Sequence, residues 1–161
     1  MKHYQPGIPP YNQWQFMIPQ MPVLGPHDFQ KQVQHIYDSI VAEATAADFY
    51  SRLMREAPDE MHRDFINHAY KDELEHLEAF TRLYKHFTDR IPQYNIEPVQ
   101  YRTYKDGLLK ALKDELEAAD FYKGIIVSST DQLVRDTYFL AMGDELEHAI
   151  RFNALLKAAS W

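Results

Sequence analysis

Cysteine is absent from the 161-residue chain. That excludes disulfides, thiolate nucleophiles, iron–sulfur clusters and cysteine-held zinc, so any metal must be held by His, Asp and Glu. Glycine is scarce, at five residues, which argues against a turn-rich β fold. No apolar run approaches the roughly 18–20 residues that a membrane-spanning helix needs. The first residues show no charged stretch followed by an apolar one, as a secretory signal would. A cytoplasmic protein is the expectation. A basic stripe is also missing: 24 acidic residues face 17 basic ones, for a net charge of −7. Neither nucleic acid nor membrane is therefore an expected partner.

What is present divides unevenly. Residues 1–27 hold six of the nine prolines, together with Tyr4, Tyr11, Trp14, Phe16 and Met17. They show no helical period and read as an extended arm, leaving 28–161 as one helical domain. Within it, apolar positions recur at helical spacing over four segments. Residues 29–56 carry Val33, Ile36, Ile40, Ala47, Tyr50 and Met54 inward. Residues 60–87 carry Ile66, Tyr70, Leu77, Phe80, Tyr84 and Phe87. Residues 103–128 carry Leu108, Leu112, Ala119, Tyr122 and Ile126. Residues 132–158 carry Tyr138, Met142, Ala149, Phe152 and Leu156. Asp59 is placed to cap the second helix, and Thr103 with Asp106 to form a capping box for the third.

The connections set the topology. The first and last are tight, so each joins an antiparallel hairpin. The middle one, 88–100, spans about 43 Å when extended at ~3.3 Å per residue, against ~40 Å for a helix of about 27 residues. One long crossover between two hairpins makes an all-α, ferritin-like four-helix bundle.

A duplication at an offset of 72 runs through that bundle. Between 43 and 83, 17 of 41 positions match their counterparts at 115–155 without a gap. Asp48-Phe49-Tyr50 recurs as Asp120-Phe121-Tyr122, and Asp72-Glu73-Leu74-Glu75-His76 as Asp144-Glu145-Leu146-Glu147-His148. Two like hairpins packed together imply a pseudo-two-fold axis.

Chemistry sits on the inward rows of the repeat. Glu43 lies between Ile40 and Ala47, and Glu115 between Leu112 and Ala119. Glu73 and Glu145 fall on the inward rows of the second and fourth helices, with His76 and His148 three residues on and on the same face. Burying four carboxylates costs several kcal/mol each unless something compensates, and two divalent cations would cancel the charge. One Glu from each of two helices and Glu-x-x-His from each of the other two is the set expected of a carboxylate-bridged dimetal site. Carboxylate with imidazole suits two Fe ions, or alternatively Mn.

Neighbouring residues take lesser parts. Asp72 and Asp144 are placed to accept the spare ring N–H of the His in the opposite hairpin. Tyr50 and Tyr122, two turns beyond Glu43 and Glu115, are candidates to hydrogen-bond a ligand carboxylate, to pass electrons, or simply to fill the core. A single Glu-x-x-His on a charged helix is commonly a solvated face; its recurrence at the repeat offset sets this pair apart. Glu75, Glu78, Glu117 and Glu147 fall off the row and are expected in solvent, and Asp48 and Asp120 in structural hydrogen bonds. His3, His27, His35, His62 and His86 have no repeat partner and read as ordinary polar residues. His68 has none either, but is placed near the site's entrance.

Over 29–158 the motifs Glu43…Asp72-Glu73-x-x-His76 and Glu115…Asp144-Glu145-x-x-His148 resemble the ferritin-like superfamily, and its rubrerythrin branch most closely. The resemblance implies a di-iron site in which Glu73 and Glu145 bridge, with Glu43 and His76, and Glu115 and His148, as terminal ligands. It implies an oxidoreductase of peroxidase, ferroxidase or catalase type, reacting with peroxide or dioxygen. Two departures stand out. Without cysteine there is no rubredoxin module, so a peroxidase would need a separate electron donor. Ala118 stands where rubrerythrins often carry a further Glu, and its repeat mate is Ala46; the six-residue set is closer to those of bacterioferritins and manganese catalases. The Pro-Tyr-Gln-rich arm resembles spore-coat proteins, which implies as one alternative a structural, spore-associated bundle with a stabilising metal; an iron-binding or ferroxidase protein is the other alternative. A homodimer is the expected assembly.

Overall fold

The computed structural model describes residues 26–159; the expected arm lies almost wholly outside them. Four helices follow one another with no strand among the described residues: α1 (Pro26–Leu53), α2 (Glu60–Thr88), α3 (Tyr104–Ser128) and α4 (Gln132–Ala158). None is long and apolar enough to cross a membrane. A 3₁₀ turn, Met54–Glu56, follows α1.

The starts are set by side-chain caps. Asp59 accepts from His62 N at 2.9 Å, and its repeat mate Asp131 accepts from Val134 N at 3.0 Å. Thr103 Oγ1 accepts from Asp106 N at 3.1 Å, while Asp106 reaches back to Arg102 N at 3.0 Å. The first three bonds satisfy amides that the helix itself leaves unpaired; the fourth ties down the residue before the Thr103 cap. α2 ends on Asp89 in the left-handed region (φ 54°), the usual stop signal of a helix.

α1 pairs with α2 and α3 with α4, and the connection 89–103 crosses along the back of α1. Tyr37 Oη donates to Gln93 O at 3.0 Å near one end, and Arg52 Nη2 to Val99 O at 3.0 Å near the other. Tyr101 then packs on Phe49 and donates to Glu56 at 2.6 Å. This is the long crossover that the linker length predicts.

The core is split in two. One cluster holds Ile36, Phe80, Leu83, Tyr122, Ile125, Tyr138 and Ala141; the other holds Leu108, Phe152, Leu155, Tyr50, Leu53, Ile66 and Ala69. Taken in that order, each residue of the first is offset by 72 from its counterpart in the second. The pseudo-two-fold therefore exchanges the clusters, and its axis passes through the layer between them.

The buried stripe is wider than a single inward row. Leu53, Leu83, Ala111, Ile125, Val134, Ala141 and Leu155 are buried, whereas Val33, Tyr70, Leu77, Tyr84, Leu112, Ile126, Met142 and Leu156 sit half-buried at the margins. A bundle helix touches two neighbours, so its apolar face exceeds 100°. His62, expected at the surface, is buried; its Nδ1 lies 2.8 Å from Tyr104 Oη at the start of α3.

Gly107 and Gly124, both in α3, separate packing from helix propensity. A Cβ at Gly124 meets nothing within 4 Å, but one at Gly107 falls 2.6 Å from Leu53 Cδ1 and 3.2 Å from Tyr101 Cδ2. Gly124→Ala is expected to stabilise the bundle by about 0.5–1 kcal/mol. Gly107→Ala is expected to destabilise it by about 1–2 kcal/mol, because buried Leu53 must move. Thermal melts of the two variants check the pair.

Candidate metal centre

Between the two clusters lie six buried polar side chains: Glu43, Glu73, His76, Glu115, Glu145 and His148. All four helices contribute, each at the point where its inward row crosses mid-bundle. They form two groups: Glu43, Glu73, His76 and Glu145 in one, and Glu73, Glu115, Glu145 and His148 in the other. Within each group the potential ligand atoms lie within 4.8 Å of one another. Glu73 and Glu145 belong to both, so they stand between two potential cation positions.

The imidazoles are oriented from outside. His76 Nε2 lies 3.1 Å from Asp144 Oδ2, and His148 Nε2 lies 2.9 Å from Asp72 Oδ2. A carboxylate only accepts, so each Nε2 carries the donated proton and each Nδ1 faces inward. His76 Nδ1 lies 3.3 Å from Glu145 Oε1, 3.7 Å from Glu43 Oε2 and 3.9 Å from Glu73 Oε2. His148 Nδ1 lies 3.3 Å from Glu145 Oε2, 3.4 Å from Glu73 Oε1 and 3.5 Å from Glu115 Oε2.

The tyrosines cross between hairpins in the same way. Tyr50 Oη donates to Glu115 Oε1 at 2.5 Å, and Tyr122 Oη donates to Glu43 Oε1. Burial, reinforced by Glu115 for Tyr50 and by Glu43 for Tyr122, raises both phenols well above their ordinary value, so both stay protonated donors. The direct hydrogen bond is thus the role in which the structure places them.

Three buried atoms in this layer lack a hydrogen bond: Glu73 Oε1, Glu145 Oε1 and His76 Nδ1. Buried polar atoms are nearly always satisfied. Glu145 Oε1 and His76 Nδ1 lie 3.3 Å apart in one group, and Glu73 Oε1 lies 3.4 Å from His148 Nδ1 in the other; carboxylate oxygens with imidazole nitrogens are an acceptor-rich donor set, which fits a divalent cation. The residues present fit the implied metals on that ground.

Other expected positions fall as follows. Glu75, Glu78, Glu117 and Glu147 are exposed. Asp48 accepts from Arg52 at 3.0 Å, while Asp120 is exposed and lies 3.8 Å from Lys123 Nζ. His68 Nε2 lies 3.2 Å from Asp72 Oδ2 and 3.5 Å from Glu147 Oε1, with its ring 6.0 Å from that of His148. It thus stands on the solvent side of one imidazole, while its repeat mate is Leu140.

A cavity of about 230 Å³ reaches the layer between α1 and α3. Glu43, Glu73, Glu115 and Glu145 line it, with Ala46 and Ala118 among the wall residues. Nothing in the motif spacing points to this space; the paired alanines are its one sequence signal.

Proton occupancy follows from the same crowding. Burial, reinforced by Glu73, holds the Glu43 and Glu115 carboxyls well above their usual 4.5. Burial disfavours charge on the imidazoles, but the surrounding glutamates outweigh it and raise His76 and His148 far above the usual 6.5. Glu145, in spite of burial, is held well below its usual range by Glu115 and both imidazoles. Without metal, Glu43 and Glu115 keep protons that the unfolded chain loses above 4.5, and the imidazoles keep protons that it loses above 6.5. Stability therefore falls as pH rises, by roughly 1.4 kcal/mol per pH unit for each retained proton. The opposite contribution of Glu145 is already complete above about pH 5. Metal-free protein should thus melt at progressively lower temperature from pH 5 to pH 8, while metal-loaded protein should gain over the same range, because cations displace those protons. Melts in EDTA and with metal test this; a flat or rising Tm in EDTA contradicts it.

No protein-family model matches the chain. An uncharacterised protein of Bacillus subtilis (strain 168), YhjR, is 29% identical over 74% of this chain and 83% of its own. Among solved structures, a hypothetical protein of Pyrococcus furiosus has a TM-score of 0.69 at 21% identity, covering 86% of this chain and 95% of that one. A conserved hypothetical protein of Mycobacterium tuberculosis has a TM-score of 0.68 at 14% identity, covering 83% and 94%. A two-domain protein of Anabaena variabilis, with DJ-1/ThiJ/PfpI-like and ferritin-like domains, has a TM-score of 0.66 at 10% identity, covering 82% of this chain and 37% of that one. These likenesses are of fold: a helical bundle of the ferritin-like type.

Proposed function

We propose that the protein is a dimetal carboxylate oxidoreductase of rubrerythrin-like type, holding two Fe or Mn ions and reacting with peroxide or dioxygen. The observation that carries this reading is the pair of buried ligand groups sharing Glu73 and Glu145. Glu43 and His76 would complete one position, and Glu115 and His148 the other. Once bound, the metals supply a two-electron couple and Lewis acidity toward an oxygen substrate. The chain's own groups then have defined tasks. Asp72 and Asp144 hold the imidazoles with Nδ1 inward. Tyr50 and Tyr122 fix Glu115 and Glu43, and their phenol protons lie within the layer. The apolar clusters on either side keep bulk water out, and the cavity between α1 and α3 is the approach for substrate. A peroxidase cycle would draw electrons from a separate donor.

A second reading, oxidation of Fe(II) in iron handling, draws on His68. Its Nε2 lies 3.2 Å from Asp72 Oδ2 and 3.5 Å from Glu147 Oε1 on the solvent side of the centre, placed where an incoming Fe(II) ion would first meet the protein. Both readings are tested in one experiment on anaerobically loaded protein, following peroxide consumption and Fe(II) oxidation. The rubrerythrin-like reading predicts peroxide turnover that falls at least tenfold in Tyr122→Phe with metal content retained. The iron-handling reading predicts Fe(II) oxidation slowed in His68→Ala with peroxide turnover unchanged. Rates no faster than free metal in both arms would contradict the two together.

The working unit is proposed to be a homodimer formed through the outer face of α3 and α4. There the duplication serves as an internal control. Ile150 (69% exposed), Phe139 (61%), Leu116 and Val127 stand in solvent, where the first hairpin has Glu78, Asn67, Ala44 and Arg55. At roughly 100 Å² per half-exposed side chain, the row with Leu109 and Leu146 forms a patch of the size that marks interfaces. A second copy would bring the same row, enough for the apolar centre of a standard interface of about 800 Å² per partner. Ile150→Glu, the residue found in the other repeat, should leave the fold intact and shift sedimentation from dimer to monomer. Wild-type protein sedimenting as a monomer would overturn the assembly.

A further inference from the structure

The two open sides of the acidic layer are not alike. On the α2–α4 side the crossed pairs His76–Asp144 and His148–Asp72 bind the helices together. On the α1–α3 side the helices stand apart, and the cavity fills the gap. Its inner end is the four glutamates; its outer wall is Ala42, Thr45, Ala46, Phe49, Val99 and Ala118, with the exposed Asp114 beside them. Ala46 and Ala118 are repeat mates, each three residues beyond Glu43 and Glu115 and thus on the same face one turn on. Any longer side chain at either position would enter the space. Val99 comes from the crossover connection and covers it from outside.

The volume decides what this space suits. Two cations occupy on the order of two water-sized shares of ~30 Å³ each. Of about 230 Å³ that leaves roughly 170 Å³, more than the ~150 Å³ apolar cavity that stays dry and takes up benzene. Dioxygen or peroxide, with two heavy atoms, fills only a small part. Apart from the exposed Asp114, the wall offers water few of the two to four polar partners that it needs. Thr45 carries the one hydroxyl among those six wall residues, and it already donates to Val41 O at 2.6 Å.

We propose that the cavity between α1 and α3 is the binding pocket for a small, largely apolar organic molecule of about six to ten non-hydrogen atoms, such as a simple arene or a short-chain alcohol. This rests on the dimetal reading for its role as a substrate pocket, since it places that molecule's inner end against the four glutamates. Specificity is set by Ala46 and Ala118, which keep the space open, and by Val99, which closes it.

Benzene is the probe. Calorimetric titration of the full chain as purified, with crystals soaked in benzene vapour, should give one benzene per chain, seated beside Ala46 and Ala118. Ala46→Leu and Ala118→Leu should each weaken binding at least tenfold while metal content per chain stays unchanged. Val99→Phe, at the outer wall and away from the glutamates, should weaken it too and guards against a folding defect in the alanine variants. Ordered water alone in the cavity, or equal benzene affinity in wild type and all three variants, overturns the pocket. Benzene binding by a chain that takes up no metal would instead overturn the dimetal reading and leave the pocket standing.

Discussion

Four carboxylates in one buried layer are the constraint around which this bundle is arranged. Each would cost several kcal/mol to bury alone, and together they repel. The chain answers in three ways. Two imidazoles point a nitrogen each at the glutamates. Two phenols donate to the outer glutamates, and two aspartates from the opposite hairpins hold the imidazoles in place. Even so, Glu73 Oε1, Glu145 Oε1 and His76 Nδ1 remain without hydrogen bonds. The donor set left in the layer is one that fits divalent cations.

The duplication makes this economical in sequence. One hairpin design carries one outer glutamate, one glutamate shared by both groups, one imidazole, one orienting aspartate and one tyrosine. Used twice about a pseudo-two-fold, it yields the whole layer. The cross-hairpin bonds of this layer then appear in duplicate: Tyr50 with Glu115 and Tyr122 with Glu43, His76 with Asp144 and His148 with Asp72. The departures from symmetry are where individual properties arise. Phe49 is buried beneath the crossover while its mate Phe121 is exposed. His68 faces Leu140 across the repeat, so the solvent side of His148 is polar and the corresponding helix position of α4 is not. On the outer face, Ile150 and Val127 of the second hairpin stand where the first has Glu78 and Arg55.

Much of this is legible in the sequence, because it rests on periodicity and on the repeat. The helices follow from the 3.6-residue spacing, and the caps at Asp59 and Thr103 mark where two of them begin. The six converging side chains stand out because an inward Glu, and a Glu-x-x-His, each recur at the same offset. The aspartate–imidazole pairs are legible too, since a residue next to an inward ligand on one hairpin faces the other. Features that depend on how helices are spaced or covered are not legible. Leu53 and Ile125 are buried because each helix touches two neighbours. His62 is buried because Tyr104, 42 positions away, arrives at its ring. The cavity exists because α1 and α3 stand apart, which no single residue announces.

Metal content per chain decides whether cations complete the acidic layer. Protein purified without chelators should carry about two Fe or Mn ions per chain by elemental analysis. The double variant Glu73→Ala/Glu145→Ala should lose them while keeping its helical circular dichroism. A wild-type chain that holds no metal, even after anaerobic reconstitution with Fe(II) and with Mn(II), would contradict the account: the layer would then be neutralised by protons alone.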